Sequence, residues 1–187
     1  TGLGMAGKIS FSDSLQRRLR LLKINKEHIE KLKFTLENQI TNSIARHRDF
    51  FHKNYEHIYI VSGGFREVIL FVTKDFHIHA RHVLANDLIF DNQSNVKGID
   101  PKNPLSQDYG KSIAVLQKNI PRPLVMLGDG YTDLQLKLDG TVDKFIAFTE
   151  NIHRPEVTKD ADAVISSFDE FLDFIKTDKF LNNFSLK

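Results

Sequence analysis

The 187-residue chain has no cysteine, which excludes disulfides and thiolate metal sites and fits a reducing compartment. It has no excess of either charge: 26 basic against 24 acidic residues leave a net +2. Composition therefore argues for neither a nucleic-acid partner nor an anionic membrane surface. Long apolar runs are missing as well, and stretches such as Leu124 to Leu127 are far too short to span a bilayer. The opening Thr1-Gly2-Leu3-Gly4-Met5 carries neither the basic nor the apolar segment of a signal peptide, so a cytoplasmic location is expected. The chain does not begin with methionine, which suggests a processed, truncated or partly represented protein. Repeats at a fixed period and low-complexity stretches are absent. The 41% of hydrophobic and 27% of charged residues are those of an ordinary globular protein, long enough for one core with a small appendage.

The first forty or so residues read as helical. Ser10-Phe11-Ser12-Asp13 offers a capping signal, and Phe11, Leu15, Leu19 and Leu22 recur at helical spacing. Asn25 can cap a second helix whose apolar face is Ile29, Leu32, Leu36 and Ile40. A third is expected from Thr41 or Asn42 to about Tyr55. Beyond it come short apolar runs ending in glycine or a polar turn: Ile58 to Val61, Leu124 to Leu127, Phe145 to Phe148 and Ala163 to Ile165. Such runs, separated by helical stretches, fit a buried parallel sheet with helices on both faces, an α/β doubly wound fold. Asp87 to Asp91 and Val96 to Asp100 flank Asn92-Gln93-Ser94-Asn95, a hairpin signal. Phe168, Phe171, Leu172 and Ile175 form the core face of a closing helix.

In open sheets of this kind ligands bind at the carboxyl ends of the strands, and two glycine-rich motifs lie there. Ser62-Gly63-Gly64 follows the first strand, with a helix expected from Phe65 onward. A hydroxyl and bare amides at such a place can cradle phosphate, although the same residues also suit a tight turn. Gly128-Asp129-Gly130-Tyr131-Thr132-Asp133 follows another strand. Asp129 can ligate Mg²⁺ beside phosphate oxygens or merely cap the next helix. Asp133, four residues on, faces the same side and favours the first reading. Lys111 opens an amphipathic helix between the two motifs and can offset negative charge, or be one surface lysine among many.

In this order the motifs resemble motifs two, three and four of the haloacid dehalogenase (HAD) superfamily, in its phosphoserine phosphatase branch. Ile60-Val61-Ser62-Gly63-Gly64-Phe65-Arg66 is similar to the family's ISGGF segment, and Leu127 to Asp133 to its GDGxxD segment. Thr132 stands where bacterial members commonly have asparagine. Met5 to Phe11, Leu15 and Arg17-Arg18-Leu19 resemble the second half of a helical cap, and Ile152 to Asp162 also resembles the family. The resemblance spans nearly the whole chain. It implies a HAD-like Rossmannoid core over residues 41–187 and a partial helical cap over 1–40. It further implies Mg²⁺-dependent hydrolysis of a small phosphomonoester, L-phosphoserine above all, as in serine biosynthesis. In that scheme Ser62, Gly63 and Gly64 bind the phosphoryl group with Thr132, and Lys111 offsets its charge. Asp129 ligates Mg²⁺, and Asp133 supports the metal or Lys111. Met5 and Phe11 line the substrate pocket, and Arg18 holds the substrate carboxylate.

One part of the pattern has no match. The family's nucleophile and general acid come from a DxDx[TV] motif ending the central strand, upstream of the cap. Leu138-Asp139-Gly140-Thr141 looks like its tail but has Lys137 at the nucleophile position, and Asp160-Ala161-Asp162 follows no apolar strand. The central first strand is thus expected to be missing from the sheet, between the strands ending at Ser62 and Asp129. This chain alone is expected to be inactive and not to fold productively. An upstream segment, a separate fragment or a neighbouring chain, as in a homodimer, would complete it. The alternatives are a phosphatase of another small phosphomonoester and a non-catalytic phosphate-binding module.

His77, His79 and His82 cluster within six residues, but lack an acidic partner nearby and read as a solvated or hydrogen-bonded group rather than a metal site. The basic stretch Arg17 to Lys23 reads as a solvated helix face, Arg18 excepted.

Overall fold

The structure, a computed structural model, describes residues 10–21 and 23–178, without the side chains of Phe11, Asp13, Gln16 and Arg20. Met5 and the side chain of Phe11 therefore lie outside the described residues. The helical start has the expected form: α1 (Phe11–Leu21) buries Leu15, and α2 (Lys26–Glu37) buries Ile29. Asn25 caps α2, its side chain accepting from the His28 N–H at 3.0 Å. The third expected helix is broken into α3 (Asn42–Arg46) and α4 (Arg48–Asn54). At the break the His47 N–H turns back to Ile44 O at 3.0 Å, and Asp169 holds the His47 ring at 2.8 Å and Arg46 at 2.6 Å. Tertiary polar contacts override the continuous helical pattern there.

β1 (Ile60–Phe65) runs on through the Ser-Gly-Gly segment, and α5 (Arg66–Val72) starts one residue later than expected. Its parallel partner β2 (Val83–Asn86) was not legible in the sequence, because its three apolar residues run directly into the hairpin segment from Asp87. Arg66 clamps the far end of β2, holding Asp87 at 2.7 Å and the carbonyls of Val83 and Ala85. β3 (Leu88–Phe90) and β4 (Val96–Ile99) form the expected antiparallel hairpin. It docks on the start of α2 through Val96 N–H to Ile24 O at 2.7 Å and Lys26 N–H to Ser94 O at 3.0 Å.

After a short 3₁₀ turn, Pro104–Ser106, come α6 (Gly110–Lys118), β5 (Val125–Gly128) and α7 (Tyr131–Leu138). β6 (Lys144–Phe148), α8 (Pro155–Thr158), β7 (Ala163–Ile165) and α9 (Phe168–Thr177) complete the chain. β5, β6 and β7 form a parallel sheet with β6 in the middle. Alternation along β6 sends Ile146 and Phe148 to the face covered by α3, α4 and α9, and Phe145 and Ala147 to the face covered by α7 and α8. That is helices on both faces of a parallel sheet, as expected for a doubly wound fold.

The parallel strands nevertheless fall into two separate sheets, β1–β2 and β5–β6–β7. Both share one helical layer, because Val61 of β1 and Met126 of β5 pack on the same cluster of Val115, Leu136 and Val142. Among the described residues no strand joins β1 to β5. All six residues of β1 and all four of β5 are only half-buried, whereas Phe145 to Phe148 of β6 are buried. No helix of the described residues is long and apolar enough to cross a membrane.

Candidate active site

The carboxyl ends of β1 and β5, with the start of α6, gather most of the residues singled out in the sequence. In β1 the pairing jumps from Val61 opposite Leu84 to Phe65 opposite Asn86. Three residues, Ser62, Gly63 and Gly64, therefore stand against Ala85 alone, and the strand bulges. Within the bulge the Gly64 N–H donates to Ser62 Oγ at 3.0 Å. The Ser62 hydroxyl proton stays available to an outside acceptor. Neither glycine has φ in the left-handed region, so backbone conformation does not demand glycine here. A Cβ on Gly64 would lie 3.2 Å from Ser62 Oγ.

At the end of β5 the role of glycine is close approach. A Cβ on Gly128 would lie 2.6 Å from Asp133 Cβ and 2.5 Å from its Oδ2. The bare backbone lets Asp133 fold back beneath the strand end and accept the Gly130 N–H at 3.0 Å. Asp133 is 4% exposed and its other oxygen is bound by Lys111 Nζ. Of the two roles expected for Asp133, support of the metal or of Lys111, the geometry matches the second. Lys111 is brought in by tight packing at the start of α6, where a Cβ on Gly110 would lie 2.9 Å from Leu105 Cα. The Lys111–Asp133 ion pair is largely buried, with side chains 16% and 6% exposed, so loss of either partner strands a desolvated charge.

Gly63, Lys111 and Thr132 line one small cavity with Leu105, Tyr109 and Gln135. At about 20 Å³ it holds no more than a water. Asp129 faces a second, larger cavity of about 330 Å³, between Thr41 and Ile44 on one side and Leu127, Gly128 and Phe148 on the other. Its carboxylate is paired with Arg154, whose Nη1 also donates to Asp129 O at 2.9 Å. Asp129 is a hard oxygen donor, 39% exposed on a cavity wall, and so suits Mg²⁺ as one ligand. No group of three metal-binding side chains exists among the described residues, so the other ligands would be waters, substrate oxygens or donors from whatever fills that cavity.

The Nε of Arg18 donates to Ser14 O, one turn back in α1, at 3.1 Å. α1 is tied to this end of the core through Ser12, whose N–H and Oγ bind Asp108 at 3.0 and 3.2 Å, three residues before Lys111. Both sequence decoys have structural roles. Asp139 accepts from Ser112 Oγ at 2.5 Å and the Thr141 N–H at 3.0 Å, and Asp162 accepts from the Phe145 N–H at 2.7 Å. The histidine cluster is a hydrogen-bonded group: His82 is 5% exposed, stacks on Tyr59 and reaches Tyr55 O at 3.1 Å. Burial holds the His82 pKa below the ordinary histidine value, with Arg81 and His79 adding to the effect against the Tyr55 carbonyl. Sequence reasoning missed Arg154 and Asn86. Neither sits in a glycine-rich motif, and only the fold brings them to the strand ends.

A buried lysine–aspartate pair, a bulged Ser-Gly-Gly turn and an exposed strand-end carboxylate at the carboxyl edge of a doubly wound sheet define an α/β protein equipped to hold an anion. The comparisons with known proteins narrow that class. The chain is 30% identical over 175 residues to the chloroplastic phosphoserine phosphatase of Arabidopsis thaliana, covering 92% of this chain. It spans 59% of that relative's length. It is 29% identical to the phosphoserine phosphatase of Bos taurus, covering 92% of this chain and 77% of the relative. A crystal structure of a phosphoserine phosphohydrolase-like protein from Francisella tularensis superposes with a TM-score of 0.79 at 29% identity, covering 92% of this chain and 81% of that one. No family model matches.

Proposed function

We propose that this chain is the larger part of a HAD-type phosphomonoesterase acting on L-phosphoserine, in which a further strand supplies the nucleophile. The observation that carries the reading is the meeting of Gly63, Lys111 and Thr132 at one cavity between the carboxyl ends of β1 and β5. A phosphoryl group bound there would receive the Ser62 hydroxyl and the turn amides on one side and the Lys111 ammonium on the other. Asp133 holds Lys111 in place through their ion pair. Asp129 would hold Mg²⁺, which when bound offsets the negative charge of the phosphoryl oxygens. The cavity is too small for phosphate as it stands, so binding requires lining side chains such as Tyr109 and Gln135 to swing aside while the turn and the start of α6 keep their spacing.

The reaction also needs two carboxylates that the described site lacks. The gap between β1 and β5 and the cavity of about 330 Å³ beside Asp129 suit an extended strand that pairs with both free edges and ends at the site. An aspartate at its end would attack phosphorus, forming an O–P bond as the seryl O–P bond breaks. A second would give its proton to the leaving alkoxide, and water would then hydrolyse the aspartyl-phosphate. The strand would come from a further segment of the protein or from a neighbouring copy. Phosphoserine is preferred over other phosphomonoesters on the relatives' names and on the resemblance of Met5, Phe11 and Arg18 to the family's cap residues.

The Asp129–Arg154 pair favours a second reading, a phosphate-binding module without turnover, because the metal carboxylate is already neutralised. Titration with L-phosphoserine, O-phosphoethanolamine and inorganic phosphate, with and without Mg²⁺, tests the substrate and the site, and phosphate release once the strand is supplied separates the two readings. The proposal expects L-phosphoserine to bind most tightly and Mg²⁺ to strengthen it. Equal binding of all three rejects phosphoserine as the substrate, and no binding of any rejects the site.

A further inference from the structure

We infer that Asn86 is a positioning residue for the phosphoryl-binding turn, an inference that rests on the phosphomonoesterase reading. Asn86 ends β2 and is wholly buried, 0% exposed. Its Nδ2 donates to Gly63 O at 3.0 Å and to Leu105 O at 2.9 Å. Both partners are carbonyls, so only the amide nitrogen can face them, and the orientation of the side chain is fixed by chemistry. Its Oδ1 has no hydrogen-bond partner among the described residues, a cost accepted at a buried position in exchange for those two bonds.

The place of this amide explains its use. Three bulge residues of β1 face one residue of β2, so the regular ladder has no backbone donor for Gly63 O. The Asn86 side chain supplies that donor. Fixing Gly63 O fixes the plane of the Gly63–Gly64 peptide, whose N–H then points the opposite way. There it meets Ser62 Oγ at 3.0 Å and holds the serine as an acceptor, leaving the hydroxyl proton to point outward. The second bond, to Leu105 O, reaches the turn against which Gly110 packs, where an added Cβ would lie 2.9 Å from Leu105 Cα, and so the start of the helix that carries Lys111. One side chain ties the two phosphate-facing elements together.

A double-mutant cycle on the full chain tests this, with inorganic phosphate as the probe and affinities read by calorimetry. N86A is expected to weaken phosphate about tenfold and to shift the Gly63 and Gly64 amide resonances, while near-UV circular dichroism stays native. Because Asn86 acts through Ser62, N86A is expected to cost far less in an S62A background. N54A provides the contrast: Asn54 is buried like Asn86, 1% exposed, and its Nδ2 holds Phe50 O at 2.8 Å, away from the turn, so its loss is expected to lower the melting temperature without changing phosphate affinity. Should N86A not fold, N86S, which keeps a donor, carries the same comparison. Wild-type affinity in folded N86A, equal losses in N86A and N54A, or full additivity with S62A would overturn the inference alone. Failure of the wild-type chain to bind phosphate would overturn it together with the phosphomonoesterase reading.

Discussion

At the scale of single residues, the site is governed by which charges are already paired. Lys111 and Asp133 neutralise one another in a buried setting, whereas Asp129 is held by Arg154 at a half-exposed one. A cation arriving at Asp129 must displace the guanidinium. R154Q is therefore expected to raise Mg²⁺ affinity about tenfold in calorimetric titration, with D129N removing it. An unchanged affinity in R154Q would mean that Arg154 does not compete. His82 makes a separate prediction, because burial depresses its folded-state pKa below the ordinary histidine value of 6.5. The unfolded chain takes up that proton first as pH falls, so stability is full above about 6.5 and declines below it, until the folded-state value is passed. Tyr59, His79 and Arg81 are the groups facing the ring, with the Tyr55 carbonyl, and none is an acid. H82F is expected to flatten the melting temperature between pH 7 and pH 5 relative to wild type, and an unchanged slope would assign the dependence to other histidines. Lys111, Asp129 and Asp133 were legible in the sequence because they sit in or between glycine-marked strand ends. Arg154 and Asn86 were not, since an arginine before Pro155 and an asparagine after a three-residue apolar run carry no local signal.

At the scale of elements, strand burial separates the two halves of the sheet. β6 is paired on both sides and its Phe145 to Phe148 segment is buried, whereas β1 and β5 are each paired on one side and half-buried throughout. Hydrogen exchange is expected to be slowest in β6 and markedly faster in β1 and β5. Equal protection of all three would contradict the reading of β1 and β5 as open edges. The strands that could be read from the sequence stand apart, between helical stretches or beside a turn signal. β2 escaped because its three apolar residues run directly into the hairpin segment from Asp87. The helix expected over 41–55 broke at His47 because Asp169, more than 100 residues away, captures both sides of the break. A local pattern cannot foresee a distant carboxylate.

At the scale of the whole molecule, the doubly wound architecture and the hairpin were legible from the order of apolar runs and turns, and the parallel strands divide into two sheets. Two open edges over one shared helical layer leave the apolar residues Ile60, Val61, Val125, Met126 and Leu127 half-exposed. An added strand would bury them and satisfy the edge groups, with the hydrophobic term worth about 25 cal/mol per Å² of apolar surface covered. The same strand would deliver the missing carboxylates, so folding and catalysis would be completed by one event. The most direct test is Mg²⁺-dependent phosphate release from L-phosphoserine, measured on this chain alone and after supplying an apolar strand that ends in DxDx[TV]. The account expects no turnover from the chain alone and turnover once the strand is present, lost again when its first aspartate is changed to asparagine. Turnover by the chain alone at the same rate, or none after the strand has bound, would contradict it.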